Sequence, residues 1–347
     1  MRLDTQLTAP LGLVGLQVAE LVAAGLDGAY TFEGPNDVFL PLAEAAAAGV
    51  AARGRGEGEL DLYSNVAIAF PRSPMHLALA AWDLQRATEG RFVLGLGTQV
   101  RAHVERRYGA TWGRPVAHLR EVVDAVHAVF AAFQDGRPLA VEGEYVRLDL
   151  LPPLFDPGPL EWGPPPVWCG AFGPAMTRMV ATVADGLLVH PFHTERFLVE
   201  HTLPLVAEGL AASGRGRDAF GIGASTLVCA GRDEAEQAVA DEGCRWLLAF
   251  YGSTPAYRPV LDLEGRGDLQ PRLQACTREG RWDEMPALLG DDLLHAVCVR
   301  GTPEQVGAEL VRRYEGRADR LGLTLPYAAG DGLLADVVAA TRRASRF

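Results

Sequence analysis

The sequence lacks most of the signatures that disclose a function at sight. Its five cysteines, at 169, 229, 244, 276 and 298, include no Cys-x-x-Cys. An odd set without that spacing excludes a disulfide framework and reads as reduced thiols in a cytoplasmic protein, most of them small core residues. No basic run exceeds two or three residues and the net charge is −12, so nucleic acid is excluded as a partner. No signal peptide is expected, because Arg2 and Asp4 come early and no apolar core with a cleavage site follows. Leu11 to Leu26 is apolar-rich, but Gln17 and Glu20 interrupt it, and it is too short to span a bilayer. It reads as an amphipathic helix on a core, with no membrane partner. No Gly-x-Gly-x-x-Gly follows the first strand, which disfavours an open doubly wound sheet. Neither a Gly-x-x-x-x-Gly-Lys loop nor a Ser–His–Asp order with a nucleophile elbow is present, so kinase and hydrolase readings have no support. No internal repeat appears, although Ala43 to Ala52 is alanine-rich.

What is present is a soluble composition, 48% hydrophobic and 22% charged, over 347 residues. That length suits one large α/β barrel or two smaller domains. The most informative stretch is Gly90 to Val104. Phe92 to Leu96 is a short apolar run bounded by glycines, as expected of a buried strand. It breaks into Gly97-Thr98-Gln99 and a polar helical pattern follows. A strand that turns straight into a helix presents free backbone N–H groups, which suits an anionic or flat cofactor; a glycine turn with no ligand is the plain alternative.

The rest of the chain alternates strand and helix. Strands are expected at Arg2–Leu7, Gly28–Phe32, Asp61–Phe70, Phe92–Leu96, Val167–Gly170, Gly186–His190, Phe220–Cys229 and Leu321–Leu325. Ser73 reads as the N-cap of a helix with Pro74 at its first position. Leu119, Val122, Val123, Val126, Phe130 and Phe133 keep one apolar helical face. Eight strands with helices between most of them predict a closed (β/α)8 barrel. One barrel domain over 1–347 is expected, with a hairpin and a proline-rich loop inserted at about 134–165 and helices at about 249–299.

In such a barrel the chemistry lies at the carboxyl ends of the strands. Glu33, after strand two, reads as a proton carrier or as a helix cap. Gly170 to Pro174 opens a helix with Arg178 one turn inside, which reads as a phosphate site or as an ordinary Gly-Pro helix start. His190 and His193 read as substrate-facing or as hydrogen-bonded structural residues. A metal is disfavoured: Asp185 and Glu195 could serve as further ligands but nothing fixes them, and strand one offers only Gln6 and no His-x-His. Tyr63, Phe70, Trp112, Trp162, Trp168 and Phe172 can wall a flat ring, but aromatics at such spacing commonly belong to the core.

Four segments in order carry a resemblance: Asn65 to Pro74 (NVAIAFPRSP), Gly90 to Thr98 (GRFVLGLGT), Gly173 to Met176 (GPAM) and Ala184 to Gly186 (ADG). The chain resembles the luciferase-like monooxygenase superfamily, and within it the branch that uses the deazaflavin coenzyme F420. The resemblance implies the barrel, commonly as a homodimer, and a hydride transfer between F420 and a small organic substrate. It implies that Asn65, Val66 and Ala67 back the ring, there often with a non-proline cis peptide. Gly97, Thr98, Gln99 and His103 would line the ring and its tail. Phe172, Gly173, Pro174, Ala175 and Met176 would hold the phosphate, with Arg101, Arg106, Arg107 and Arg178 offsetting a polyanionic tail. The sugar-phosphate dehydrogenases of this branch carry a histidine at strand two and a glutamate after strand four. This chain has Glu33 and Val100 there, so their substrate does not transfer. The alternatives are an FMN-dependent monooxygenase of the same fold and a flavin- or deazaflavin-binding protein without turnover, with Glu33, His190 or His193 the proton partner if there is one.

Overall fold

The structure, a computed structural model, describes residues 1–345. Its strands in chain order are β1 (Arg2–Gln6), β2 (Gly28–Thr31), β3 (Asp61–Ser64), β4 (Ala67–Ile68), β5 (Phe92–Gly97), β6 (Val141–Glu142), β7 (Arg147–Leu148), β8 (Val167–Ala171), β9 (Gly186–Val189), β10 (Gly221–Ala230), β11 (Val299–Gly301) and β12 (Arg320–Thr324). The order β1-β2-β3-β5-β8-β9-β10-β12 returns to β1, every pair parallel. This is the closed eight-stranded (β/α)8 barrel expected from the sequence.

Two differences from the expected strands matter. The stretch 61–70 is not one strand: it stops at Ser64, passes a cis Asn65–Val66 peptide and resumes as β4. The Ser64 hydroxyl donates to Gly95 O at 2.8 Å, and Gly95 N–H donates back to it at 2.9 Å, so side-chain bonding takes over where the ladder stops. The short β11 was not anticipated. It pairs with the far end of β10, which is ten residues long and so serves both the barrel and this extra strand.

The barrel interior is packed at its amino-terminal end. Arg320 donates to both Asp4 oxygens, at 2.8 and 2.9 Å, and to Asp61 Oδ2 at 2.7 Å, with Arg2 also paired to Asp61. Above this network Tyr30 and Tyr63 lie 5.1 Å apart, beside Trp168 and Leu188. Trp168 fits because its neighbours are glycines: a Cβ on Gly186 or Gly221 would come within 2.6 or 2.1 Å of its ring. With the lower and middle layers filled, the carboxyl end is the face left for a ligand.

Between the helix Pro115–Asp135 and β8 lie the antiparallel pair β6–β7 and the proline-rich loop. Beyond β10 the helices Glu234–Gly252, Arg258–Leu263, Leu269–Glu279 and Asp291–Val297 form a second apolar cluster with Phe192, Phe197, Leu248, Leu261 and Leu273.

Candidate functional site

Adjacent strand ends bring the three predicted groups together. β4 pairs with β5 through Ala67↔Leu96 and Ile68↔Gly97, and β5 pairs with β8, so positions 66, 97–99 and 172–176 share one side of the mouth. Val66 lies between two glycines. A Cβ on Gly97 would meet Val66 Cγ2 at 2.4 Å, and one on Gly170 would meet Cγ1 at 3.4 Å. The glycines therefore make room for a half-buried apolar side chain at the rim. Asn65 is held by its N–H to Thr31 O at 2.6 Å and by Nδ2 to Ser225 Oγ at 3.0 Å. Gln99 has a left-handed backbone (φ +58) that few non-glycine residues adopt, and its side chain accepts from Val100 N–H at 3.0 Å.

Glu33 is committed to this frame. Its Oε2 accepts from Ile68 N–H at 2.7 Å, and both oxygens take Arg72 Nη1, at 2.6 and 2.8 Å. The side chain is 5% exposed. Rather than presenting a proton to the mouth, it pins β4 to the end of β2. Its partner Arg72 stands in the quoted NVAIAFPRSP segment but had no role in the sequence reading.

Gly173 caps the helix Pro174–Val183 without any side-chain cap bond. Pro174 has no N–H and Thr177 N–H returns to Gly173 O at 3.0 Å, which leaves the Ala175 and Met176 amides as free donors at a positive helix end. A Cβ on Gly173 would meet nothing within 4 Å, so the approach is open. The expected basic support is weaker. All 32 basic side chains are arginines. Arg178 turns outward to Glu208 at 2.5 Å, Arg101 pairs with Glu105 at 3.0 Å, and Arg107 donates to Gly34 O. His103 is exposed on the helix Arg101–Arg106.

The two histidines separate. His193 is buried, with Nδ1 2.8 Å from His190 O and Nε2 3.2 Å from the Tyr314 hydroxyl, itself 3.0 Å from Thr226 Oγ1. It secures the turn after β9, with both ring nitrogens engaged. Burial pulls its pKa down to about 4. His190 Nδ1 accepts from Phe192 N–H at 3.1 Å, which puts the proton on Nε2. Burial, then the neighbouring His193, lowers its pKa to about 3, so the ring is neutral at physiological pH. It sits among Tyr257 (4.4 Å between ring centres), Tyr251 (4.7 Å) and Phe172 (6.5 Å). Tyr251 and Tyr257 come from the helical insertion. Only their aromatic character marked them in the sequence, and nothing in their spacing tied them to strand six.

Other candidates leave the mouth. Asp185 binds Val167 N–H at 2.8 Å and His127 at 3.1 Å below the barrel, and Glu195 pairs with Arg312 and Arg317 at 2.6 and 2.7 Å. Trp168 and Tyr63 are interior packing, and Trp162 lies against Gly90 at the other end of β5. Among the described residues no group of three or more His, Cys, Asp or Glu side chains is placed to hold a metal ion, and no helix is long and apolar enough to cross a membrane.

The sequence matches the luciferase-like monooxygenase family over residues 12–320. An uncharacterized protein of Mycobacterium tuberculosis is 41% identical over 321 residues, 92% of each chain. A putative coenzyme F420-dependent oxidoreductase of the same organism is 28% identical over 338 residues, 89% of this chain and 92% of the relative. Among solved structures, the coenzyme F420-dependent tetrahydromethanopterin reductase of Methanopyrus kandleri superposes with a TM-score of 0.76 at 19% identity, over 98% of this chain and 97% of that one. The FMN complex of the oxygenating constituent of 3,6-diketocamphane monooxygenase from Pseudomonas putida superposes at 0.63 and 16% identity, over 99% and 95%.

Proposed function

Because the chain belongs to the luciferase-like monooxygenase family, we propose that it is an oxidoreductase that moves a hydride between coenzyme F420 and a small organic substrate. The supporting observation is the joining of two features on neighbouring strands: a cradle of Val66 between Gly97 and Gly170, and an uncapped helix start at Gly173 with free amides. A flat ring with a phosphate-bearing tail needs both. The residues present fit such a group. Asn65, Val66 and Ala67 would back the ring, Gly97, Thr98 and Gln99 would border it, and the amides of Ala175 and Met176 would take the phosphate. When bound, the deazaflavin supplies or accepts the hydride. The chain's own part would be to hold the ring at β4, anchor the tail and leave room for a substrate. Glu33 and Arg72 keep β4 in place, and His193 keeps the turn that carries His190.

FMN with oxygen activation is the second reading, since that cofactor also joins a tricyclic ring to a phosphate and the neighbour from Pseudomonas putida holds it. Parallel fluorescence titrations with F420 and FMN separate the two. F420 is expected to bind, and Gly173→Asp, which sets a carboxylate at the open helix start, is expected to weaken it about tenfold, roughly 1.4 kcal/mol. Unchanged affinity in that variant removes the phosphate assignment. Tight FMN binding with no F420 binding removes the cofactor assignment.

A further inference from the structure

The carboxyl rim has two sides that meet at β8. Gly170 of β8 faces Val66 and so belongs to the cradle. Phe172, two residues on, belongs to the aromatic group around His190. Its ring is 4.8 Å from Tyr257 and stacks on Phe197 at 5.3 Å. Tyr251 and Tyr257 close the far wall, 6.3 Å apart and perpendicular. All four of Phe172, His190, Tyr251 and Tyr257 are half-buried: Phe172, Tyr251 and Tyr257 pack on the second apolar cluster, and the open surface that each of the four keeps lines a recess at the rim.

The polar groups in this recess are few and unspent. Among the described residues the Tyr251 and Tyr257 hydroxyls and His190 Nε2 have no hydrogen-bond partner, and none of these atoms is sealed from solvent. Among the described residues no arginine stacks on any of these rings. Arg313, whose charge bears on His193, is engaged by Glu309 at 2.6 Å and by the Ala296 and His295 carbonyls at 3.1 and 3.0 Å. A carboxylate or phosphate entering here would lose water and gain no cation, which is costly in apolar surroundings. A neutral oxygen would find a fixed N–H donor.

Resting on the oxidoreductase reading, we infer that this recess is the substrate subsite, and that it selects an uncharged, largely apolar molecule whose reacting carbon bears an oxygen. The oxygen of such a ketone or secondary alcohol accepts the His190 Nε2–H. The apolar body lies against Phe172, Tyr251 and Tyr257, and the reacting carbon is turned toward the ring held over Val66. His190 acts as a fixed hydrogen-bond donor that orients the substrate.

Binding of acetophenone and of 4-acetylbenzoate, followed by saturation-transfer NMR and calorimetry on protein with and without F420, tests this. The two probes share a ketone and a ring and differ in charge. Acetophenone is expected to bind at least about tenfold more tightly. His190→Ala is expected to lose most of that affinity, and His190→Gln, which keeps an N–H donor, to recover part of it. Tyr257→Ala is expected to weaken acetophenone while F420 quenching stays within about twofold. Equal binding of the two probes to the unaltered protein, or full acetophenone affinity in His190→Ala, overturns the assignment. If F420 fails to bind while acetophenone binding still depends on His190, the cofactor reading falls and the subsite stands.

Discussion

His190 and His193 stand three positions apart and do different work. Both are neutral above about pH 5, because burial holds their pKa values near 3 and 4. The other titratable groups facing His190 are Tyr251 and Tyr257, which burial pushes up, Tyr257 to about 12. Ketone binding is therefore expected to be level from about pH 5 to 8. A step near 6.5 that disappears in His190→Gln would contradict a neutral donor. The pair was legible as a feature but not in its roles, because these are set by Tyr251, Tyr257 and Tyr314, far along the chain. Asp241 makes the opposite case for pH. Burial opposes its charge, yet Arg300 at 2.7 and 2.8 Å, with Cys229 and Gln237, outweighs that and holds it at about 2. An acid lowered on folding stabilises the fold above its unfolded pKa of about 3.9 and loses that contribution as pH falls toward 2. Urea unfolding of Asp241→Asn is expected to give a lower midpoint at pH 7 and a flatter decline between pH 4 and 2 than the unaltered protein.

At the scale of elements, the glycines on β5, β8, β9 and β10 decide which side chains enter the barrel. Gly97→Ala sets a methyl 2.4 Å from Val66 Cγ2. The expected cost is about 1–3 kcal/mol by chemical denaturation. Val66→Ala in the same chain should return part of it, as a double-mutant cycle reads contact between neighbours. Full additivity would show that the two do not touch. The apolar runs bounded by glycine made these strands readable in the sequence, and Pro74 after Ser73 marked its helix start: the Ser73 hydroxyl does accept from Met75 N–H, at 3.2 Å. The break within 61–70 was not readable from the residue pattern, since Ser64 turns to Gly95 through a contact between strands; only the resemblance pointed to the cis peptide there. Nor was β11, whose three residues carry no periodicity of their own.

For the whole molecule, closure rests on the last barrel strand finding the first. Arg320 ties β12 to β1 and β3 through Asp4 and Asp61, with Asp4 fully buried. Arg320→Met leaves that carboxyl without its partner, and a loss of about 3–5 kcal/mol is expected in equilibrium unfolding. A smaller loss would mean that Tyr63, 3.0 Å from Asp4, carries more of the seam. The barrel was legible because eight short apolar strands recur with helices between most of them, and that order survives local errors at strand ends. The recess was not, because half of it comes from outside the repeating units. Its outer wall leaves the sheet at the end of β10 and rejoins on β11, directly alongside. A segment with its two ends side by side is a natural cassette. If the recess takes the substrate as proposed, exchanging residues 231–298 for the matching segment of a relative is expected to redirect what the protein accepts while leaving untouched what it carries.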